Sequence, residues 1–475
     1  MILIAFILGL ALPATVGWLA LRVLEGSTPV LARWERWAAA VVLGPTLSMF
    51  MIFVLSLAGM PLTRLTFLLT FLVLITLQAI PAFTLSRHPN PNPNPNPSPS
   101  PSPSPSTNPN PTPLHWLTIA LGTWIAIKIV TAAFLLIASP PYSDDVINNW
   151  NFRGMVFYHA QEFTLELQRG YGVVERGNVS SYPPAVPLMK TWFAALYGEW
   201  NEGLVNAMHI VWYLCALALL FFALRRMTTL MWSVIGTYML SSIPLYLMHG
   251  TLAYADLFLS LHVFLVVAML LHALREDDEG NARAYLSVGA LALALLPFTK
   301  NEGLILYFPS LIIAVIGTLF WLRRRGWRII PSALWYIGLS AVVLIPWLGF
   351  KLMNDLPFGN AKAVSGFEFG WQPGVLKAIA INTFMEGNWL LLMPLFLGLL
   401  LWKWRTVFRS PLILPVLFIL TVWAGQIVVF LFTSISNEAI YQTGYARGLL
   451  QLLPVMVMVT TMLLAATVQK WEVKQ

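Results

Sequence analysis

Residues 251–273 read TLAYADLFLSLHVFLVVAMLLHA, and this stretch decides the fold. It contains one acidic residue, Asp256, and neither lysine nor arginine. A helix needs about 20 mainly apolar residues to cross the hydrocarbon core of a bilayer. The stretch is therefore predicted to be a transmembrane helix with a carboxylate at its entrance.

The rest of the chain has the same character. Of its 475 residues, 58% are hydrophobic and 10% are charged, whereas a soluble domain carries about 25% charged residues. Comparable apolar runs lie near residues 1–22, 37–59, 65–84, 115–138, 203–224, 228–248, 251–273, 284–298, 302–322, 329–350, 387–402, 411–433 and 445–468. The first run lacks the basic start of a signal peptide and is kept as a helix. The expected fold is all-α, a polytopic membrane bundle of about 13 helices.

Charge and cysteine content exclude several classes of protein. The single cysteine, Cys215, excludes an intrachain disulfide and a Cys-rich metal site. A net charge of +8 would suggest nucleic acid in a soluble chain, but in a membrane protein the distribution of charge decides. We expect no nucleic-acid partner.

The distribution of basic residues predicts the orientation. With the N-terminus outside, the inner connections collect most of the 28 basic residues, including the run Arg323 to Arg325. Cytoplasmic loops of membrane proteins are enriched in Lys and Arg. We expect a cell-membrane protein, of the bacterial inner-membrane type, with its C-terminus in the cytoplasm. The long polar segments 139–202, 351–386 and 434–446 then lie outside, which predicts an extracytoplasmic active site.

Residues 88–113 form a low-complexity Asn-Pro and Ser-Pro tract. Alternating proline favours an extended, solvated polyproline II strand, so this segment is predicted to be a linker on the cytoplasmic side or a partner-binding arm. It divides the chain into an N-terminal three-helix segment, 1–87, and a larger membrane module, 114–470.

The first outer segment opens with two acids, Asp144 and Asp145, and Trp150 and Arg153 follow within a few helical turns. Paired carboxylates beside a membrane can act as a general base, because crowding and partial desolvation raise one pKa. The alternative is a helix N-cap, with Ser143 or Asp144 capping a helix that starts near Asp145.

Other polar residues lie at the ends of apolar runs. Tyr182 precedes two prolines and an aromatic stretch, which fits either an interfacial helix or a loop helix packed on the domain. Lys300 and Glu302, like Asp256, are functional candidates because ionisable groups are costly at such depth, although a purely structural ion pair is the alternative. Arg447 suits a phosphate, or else reaches the lipid headgroups. Lys128 is expected to pair with an acid in the bundle or to reach an interface.

In their order and common sidedness these motifs resemble the bacterial multi-spanning glycosyltransferases of the GT-C class, akin to dolichyl-phosphate-mannose protein mannosyltransferases and the lipid A aminoarabinose transferase. The resemblance covers roughly residues 115–466. It is carried by Tyr142-Ser143-Asp144-Asp145, Tyr182-Pro183-Pro184, Tyr254-Ala255-Asp256, Lys300-Asn301-Glu302-Gly303 and Arg447. Relatives of the aminoarabinose type have an acid and a lysine before the paired prolines, where this chain has Ser181-Tyr182.

The resemblance implies a helical bundle with an extracytoplasmic cavity and a sugar donor carried on polyprenyl phosphate. Asp145 or Asp144 would activate an acceptor hydroxyl on a protein, lipid or polysaccharide. The donor phosphate would be bound by Arg447, Lys300 and Arg153. Supporting roles fall to Tyr182, Asp256, Glu302 and Trp150.

The expected activity is transfer of a hexosyl or pentosyl group, with no cofactor and no metal, because cations alone can stabilise a monophosphate leaving group. The alternative is a transporter or lipid flippase of envelope precursors. Its usual sign would be paired repeats with Gly/Pro-broken helices at the bilayer midplane, whereas the polar groups of this sequence gather at one face.

Overall fold

The computed structural model describes residues 1–87, 114–169, 172–174, 179–358 and 370–472. These residues form a helical bundle with one short antiparallel hairpin. The predicted linker 88–113 lies outside them, as does part of the predicted outer segment 351–386. Their expected positions stay predictions.

Four long helices flank the proline tract. They are α1 Ile2–Glu25, α2 Arg33–Leu57, α3 Arg64–Arg87 and α4 Leu114–Ala138. α1 and α2 approach closely where Gly17 meets Gly44, since a Cβ on Gly17 would lie 2.8 Å from the Gly44 Cα. Small residues at such a contact let two backbones pack directly, which is how membrane helices gain dispersion energy.

The segment after α4 folds into short elements. They are a π-helical turn Val146–Trp150, α5 Asn151–Ala160, strands β1 Leu167–Arg169 and β2 Gly172–Val174, a 3₁₀ turn Val179–Ser181 and α6 Ala185–Tyr197. α6 is the aromatic helix predicted after the paired prolines. Its Trp192 is fully buried and donates a hydrogen bond to the Gly9 carbonyl of α1 at 2.9 Å. Of the two alternatives, the structure shows the packed loop helix.

The middle of the chain is a run of long and bent helices. They are α7 Glu202–Met227, α8 Leu230–Ser242, α9 Pro244–Thr251, α10 Ala255–Arg275, α11 Glu279–Leu295, α12 Phe308–Arg324 and α13 Ile330–Met353. A 3₁₀ turn Leu296–Phe298 and a π-helical turn Gly303–Tyr307 join α11 to α12. The C-terminal part contains α14 Val375–Phe384, α15 Leu392–Trp402, α16 Trp404–Phe408, α17 Ile413–Phe432, α18 Ser436–Ile440, α19 Gly444–Leu450 and α20 Leu453–Glu472.

The polytopic all-α fold class is confirmed, and the described helices supply fewer candidate crossings than the expected 13. Among the described residues, 10 helices are long and apolar enough to span a membrane, or up to 12 if each bent pair counts as one span. The remaining predicted run, 387–402, contains only α15, of 11 residues. Such a helix is about 16 Å long, which is short of a hydrocarbon core of about 30 Å.

α10 lies at the centre of the bundle. The most apolar part of this helix is 100% buried, whereas only 11% of the corresponding part of α4 is buried. A helix that is hydrophobic on all sides either sits in a protein core or faces lipid, and here α10 does the first and α4 the second. The N-terminus of α10, which carries Asp256, is therefore enclosed by other helices.

Two helix pairs bend sharply near the same end of the bundle. α8 and α9 meet at 71°, and α19 and α20 meet at 50°. Pro244 and Pro454 follow the two breaks. Proline lacks an N–H and its ring clashes with the carbonyl four residues earlier, so neither pair can continue as one straight α-helix.

Lys128, on α4, contacts the end of α8. Its Nζ donates to the Ser242 hydroxyl and, at 3.4 Å, to the Ser241 carbonyl. The ammonium also lies 4.6 Å from the centroid of the Tyr238 ring. The expectation of an acidic partner for Lys128 was wrong. The C-terminal end of α8 and the face of the Tyr238 ring stabilise this cation instead.

A buried ion network ties the N-terminal helices to the rest of the bundle at the end opposite to the α10 N-terminus. Its members are Glu25, Glu35, Arg36, Arg226 and Tyr285. Arg36 Nε lies 2.8 Å from the Glu25 carboxylate, and Arg226 pairs with Glu35. Arg226 also donates to the Tyr285 hydroxyl at 2.9 Å. The network joins α1 and α2 to α7 and α11.

Candidate functional site

Asp256, in the first turn of α10, is the centre of a cluster of charged side chains. It is fully buried and accepts hydrogen bonds from Lys300 Nζ at 2.7 Å, from Arg447 Nη2 at 2.8 Å and from Gln451 Nε2 at 2.6 Å. Arg447 Nε donates to the same carboxylate at 3.1 Å. The positive end of the helix dipole further favours a carboxylate at this position.

Lys300 and Glu302 reach the cluster from the connection between α11 and α12. Lys300 Nζ lies 2.9 Å from a Glu302 carboxylate oxygen, in addition to its contact with Asp256. Burial lowers the pKa of Lys300, but the Asp256 and Glu302 carboxylates outweigh burial and hold it above its usual value. The ammonium is thus fixed in the charged form.

Asp145 joins the cluster through Arg447. Its carboxylate lies 2.7 Å from Arg447 Nη2, and its side chain is 33% exposed, whereas Asp256 has no exposed side-chain surface. Asp145 and Arg447 are far apart in the sequence, at the start of the first long loop and in α19. The ionic cluster therefore consists of Asp145, Asp256, Lys300, Glu302 and Arg447.

Aromatic rings line the cluster. The Arg447 guanidinium lies 4.9 Å from the centroid of the Tyr254 ring. Tyr182 packs edge-on against Trp150, with ring centroids 5.7 Å apart. Burial and then the Glu302 carboxylate raise the pKa of Tyr182 well above its usual value, and Asp145 and Asp256 add to this effect. The phenol is therefore protonated and can donate a hydrogen bond.

The structure gives the contacts of several residues whose roles the sequence left open. The structural ion pair expected for Lys300 is present with both Asp256 and Glu302. Arg447 faces these acids rather than the lipid headgroups. Asp145 precedes the π-helical turn and makes no side-chain capping hydrogen bond, and the cap expected from Ser143 or Asp144 stays a prediction. Asp144 is exposed and accepts a hydrogen bond from the side-chain amide of Asn148.

Arg153 lies outside the cluster. It is buried, with 1% of its surface exposed, and its Nη2 donates to the Tyr182 carbonyl at 2.9 Å. Burial lowers the pKa of this guanidinium to about 9, which leaves it charged at neutral pH. Its expected contact with the donor phosphate remains a prediction.

Two polar residues of the site were missed by sequence reasoning. Gln451 follows Arg447 by one helical turn, and this spacing is a signal that could have identified it. His249, in α9, lies with Nδ1 4.0 Å from the Asp256 carboxylate. The bend of α8 and α9 brings it there, and a pattern of apolar residues carries no information about such a bend.

A small cavity of about 30 Å³ adjoins the Asp144–Asp145 turn. Its walls are the C-terminal end of α4, the prolines after it and the connection between α9 and α10, represented by Leu135, Pro140, Tyr142, Ser143 and Ala253. Within the described part of the chain, no group of three or more His, Cys, Asp or Glu side chains could hold a metal ion. Metal independence stays a prediction.

No protein-family profile matches the sequence, and no curated protein matches it. Two solved structures share its fold: ArnT from Cupriavidus metallidurans bound to undecaprenyl phosphate, with a TM-score of 0.54, and the same protein in the apo state, with a TM-score of 0.51. In both comparisons 14% of aligned residues are identical and the match covers 73% of this chain.

The match spans 60% of the length of ArnT. ArnT is the lipid A aminoarabinose transferase, a GT-C enzyme, so the resemblance expected from the motifs is confirmed at the level of the fold. The chain therefore has the polytopic membrane fold of ArnT.

Proposed function

We propose that this protein is a membrane glycosyltransferase that transfers a sugar, hexosyl or pentosyl, from a polyprenyl-phosphate donor to an acceptor hydroxyl. The acceptor is a protein, a lipid or a polysaccharide, and transfer takes place on the extracytoplasmic face. The ArnT fold and the undecaprenyl phosphate bound to ArnT support this class of donor. No cofactor is required in this proposal.

One observation carries the proposal: a partly exposed carboxylate, Asp145, is paired with a cation that is itself anchored on a buried acid. Asp256 is saturated by its three partners and has no exposed side-chain surface. The Arg447 side chain remains 24% exposed. A ligand can therefore replace Asp145 at the Arg447 guanidinium while the contact between Arg447 and Asp256 stays in place.

The donor phosphate would bind to Arg447 by displacing Asp145 from Nη2. An arginine offers a planar fork of N–H groups that matches phosphate oxygens. Lys300, fixed in its charged form, adds a second positive charge. Release from Arg447 would leave the Asp145 carboxylate free to act as a base. Donor binding would therefore prepare Asp145 to take the proton of the acceptor hydroxyl.

The transfer step then uses groups of this chain alone. Asp145 takes the proton of the acceptor hydroxyl as its oxygen attacks the anomeric carbon of the sugar. The bond between that carbon and the phosphate oxygen breaks, and the electron pair leaves with the polyprenyl phosphate. Arg447 and Lys300 stabilise the charge that develops on this leaving group.

In this proposal the donor enters laterally beside α4, next to the small cavity at the end of that helix. The walls of the cavity are mainly apolar, and α4 is the least buried of the long helices. A polyprenyl chain could remain in the lipid while its phosphate reaches Asp145 and Arg447. This route needs no passage of the lipid through the core around α10.

The test is transfer of radiolabelled sugar by the full chain in detergent micelles, using polyprenyl-phosphate hexoses and pentoses with a lipid extract as acceptor. We expect label in a product that is resistant to mild acid, together with release of polyprenyl phosphate. The matched variants are Asp145→Asn, expected to lower turnover by about 10² or more, and Asp144→Asn, expected to remain active.

Movement of an intact polyprenyl-phosphate sugar between the leaflets of a vesicle, without transfer, would overturn the proposal and favour the flippase alternative. The two bent helix pairs make this comparison necessary, since broken helices also occur in transporters.

A further inference from the structure

Two buried basic side chains outside the ionic cluster, Arg153 and Lys351, donate to the consecutive main-chain carbonyls of the Ser181–Tyr182 segment. Arg153 Nη2 donates to the Tyr182 carbonyl at 2.9 Å, and Lys351 Nζ donates to the Ser181 carbonyl at 2.7 Å. Lys351 also donates to the Pro357 carbonyl at 2.6 Å. Both residues are nearly fully buried, with exposures of 1% and 0%.

Neither cation forms an ion pair with any acid in the described part of the chain. Lys351 Nζ instead lies 5.0 Å from the centroid of the Trp347 ring, and the Arg153 guanidinium lies 5.8 Å from the centroid of the Phe157 ring. Burying a basic side chain without a counter-charge is costly, and cation–π contacts offset only part of that cost. These residues are therefore poor choices for stability alone.

The Ser181–Tyr182 segment lies where a regular helix cannot continue, and its Tyr182 N–H donates to the Val179 carbonyl at 3.2 Å. Tyr182 follows a 3₁₀ turn and precedes Pro183 and Pro184, which have no N–H to donate. A residue before proline is also restricted to extended conformations, so a regular helix cannot include Tyr182. Side-chain donors must pair with the buried carbonyls at this position.

The Ser181–Tyr182 segment also lies next to the ionic cluster. Asn301, next to Lys300, lies with Nδ2 3.5 Å from the Ser181 hydroxyl. The Tyr182 ring packs on Trp150, and its phenol lies in the electric field of Glu302, Arg447, Asp145 and Asp256. The position of this phenol relative to the cluster thus depends on how the Ser181–Tyr182 peptide is held.

We propose that Arg153 and Lys351 are positioning residues that fix this peptide so that the neutral Tyr182 hydroxyl donates a hydrogen bond to an oxygen of the bound donor. The proposal rests on the glycosyl-transfer function proposed above. It gives Arg153 an indirect role in place of the phosphate contact expected from the sequence. Lys351, which sequence reasoning did not single out, has the equivalent role on the other carbonyl.

The experiment is a set of double-mutant cycles in the transfer assay. Tyr182→Phe, Arg153→Met and Lys351→Met are each expected to lower kcat about 10-fold or more, with the donor KM changed less than about 2-fold. Adding Arg153→Met or Lys351→Met to Tyr182→Phe should cause no further loss, because both act through the same hydroxyl. Arg153→Lys keeps one donor for the Tyr182 carbonyl and should recover part of the activity.

The matched control is Lys128→Met, which removes a lysine that also donates to a main-chain carbonyl and a hydroxyl, but midway along α4. Its kcat should remain within about 2-fold of the wild-type value. Losses that add in the double variants, or a donor KM that rises in Arg153→Met, would overturn the positioning role and favour a direct phosphate contact.

A spectroscopic measurement separates this proposal from the proposed function. The chain, labelled with 3-fluorotyrosine in detergent, contains 14 tyrosines, and the resonance absent from Tyr182→Phe assigns position 182. This resonance should shift or broaden in Lys351→Met and Arg153→Lys but not in Lys128→Met. An unmoved resonance overturns the positioning role, whereas a wild-type chain with no transfer activity overturns only the proposed function.

Discussion

Asp256 accepts hydrogen bonds from Lys300, Arg447 and Gln451, so this carboxylate holds cations in place rather than taking up a proton. Asp145 shares the same arginine but is partly exposed. We therefore propose separate tasks for the two acids, a structural one for the buried Asp256 and a chemical one for the partly exposed Asp145. Removing either is expected to have different consequences for stability and for turnover.

Asp145→Asn is expected to lower turnover by about 10² or more, the scale of a positioned general base, while the protein remains folded. The melting temperature should fall little, because the Asp145–Arg447 pair is partly exposed and such pairs contribute about 1 kcal/mol or less. Turnover and thermal melting, measured on the same preparations, check this. A fast but less stable variant would make Asp145 a structural residue and direct attention to Asp144, Asp256 and Glu302.

Arg447→Lys is expected to raise the donor KM and to retain part of the activity, because lysine keeps the charge but loses the fork of N–H groups. Arg447→Ala should raise the donor KM further and also destabilise the protein, since the buried Asp256 loses one of its two close cations. Initial rates at varied donor and acceptor concentrations check this. An alanine variant with wild-type kinetics would leave Lys300 as the better phosphate ligand.

The residue types of the site could be predicted from the sequence, but their partners could not. Asp256, Lys300 and Glu302 lie at the ends of apolar runs, where a charge is conspicuous. The contact of Asp145 with Arg447 joins two loops separated by most of the membrane module, and no local spacing indicates it. Arg153 was predicted from its place near Asp145, yet its side chain turns towards the Tyr182 carbonyl.

At the scale of elements, the two bent helix pairs build the site as much as the loops do. α9 carries His249 and α19 carries Arg447, and each short helix turns away from its longer partner before reaching Asp256. Pro244 and Pro454 mark the breaks in the sequence, although the direction of each bend depends on packing. The apolar pattern also predicted a crossing over 387–402, where the polar turn around Asn388 shortens the helix to α15.

Pro454→Ala is expected to lower transfer activity, because α19 and α20 can then continue as one helix and draw Arg447 away from Asp256. Pro331→Ala, in the first turn of α13 at the other end of that helix from Lys351, is the matched control and should have little effect. Donor KM and turnover of both variants check this. Wild-type kinetics in Pro454→Ala would mean that packing alone maintains the bend.

At the scale of the whole molecule, the charged side chains divide between two ends of the bundle. The ionic cluster lies at the N-terminal end of α10, and the arginine run 323–325 lies at the end of α12 remote from it. The match to ArnT covers 60% of that protein, so the fold comparison leaves acceptor recognition to be measured on this chain. Sidedness rests on the positive-inside rule applied to the sequence.

A reporter fused after Arg325 is expected to be cytoplasmic, and one inserted after Asp355, beyond the other end of α13, is expected to be extracytoplasmic. Paired alkaline phosphatase and fluorescent-protein fusions at each position check this. The reverse result at both positions would place the ionic cluster on the cytoplasmic face. Activity would then have to be sought with donors presented from that side.

The ion network of Glu25, Glu35, Arg36, Arg226 and Tyr285 has a consequence for biosynthesis. Glu25 and Arg36 can pair as soon as α1 and α2 have left the ribosome, but Glu35 waits for Arg226, 191 residues later in the chain. Until α7 is inserted, the carboxylate of Glu35, which is buried in the folded protein, has no basic partner. The charge pairing of the N-terminal hairpin is thus completed only after a helix that is synthesised much later in translation has been inserted.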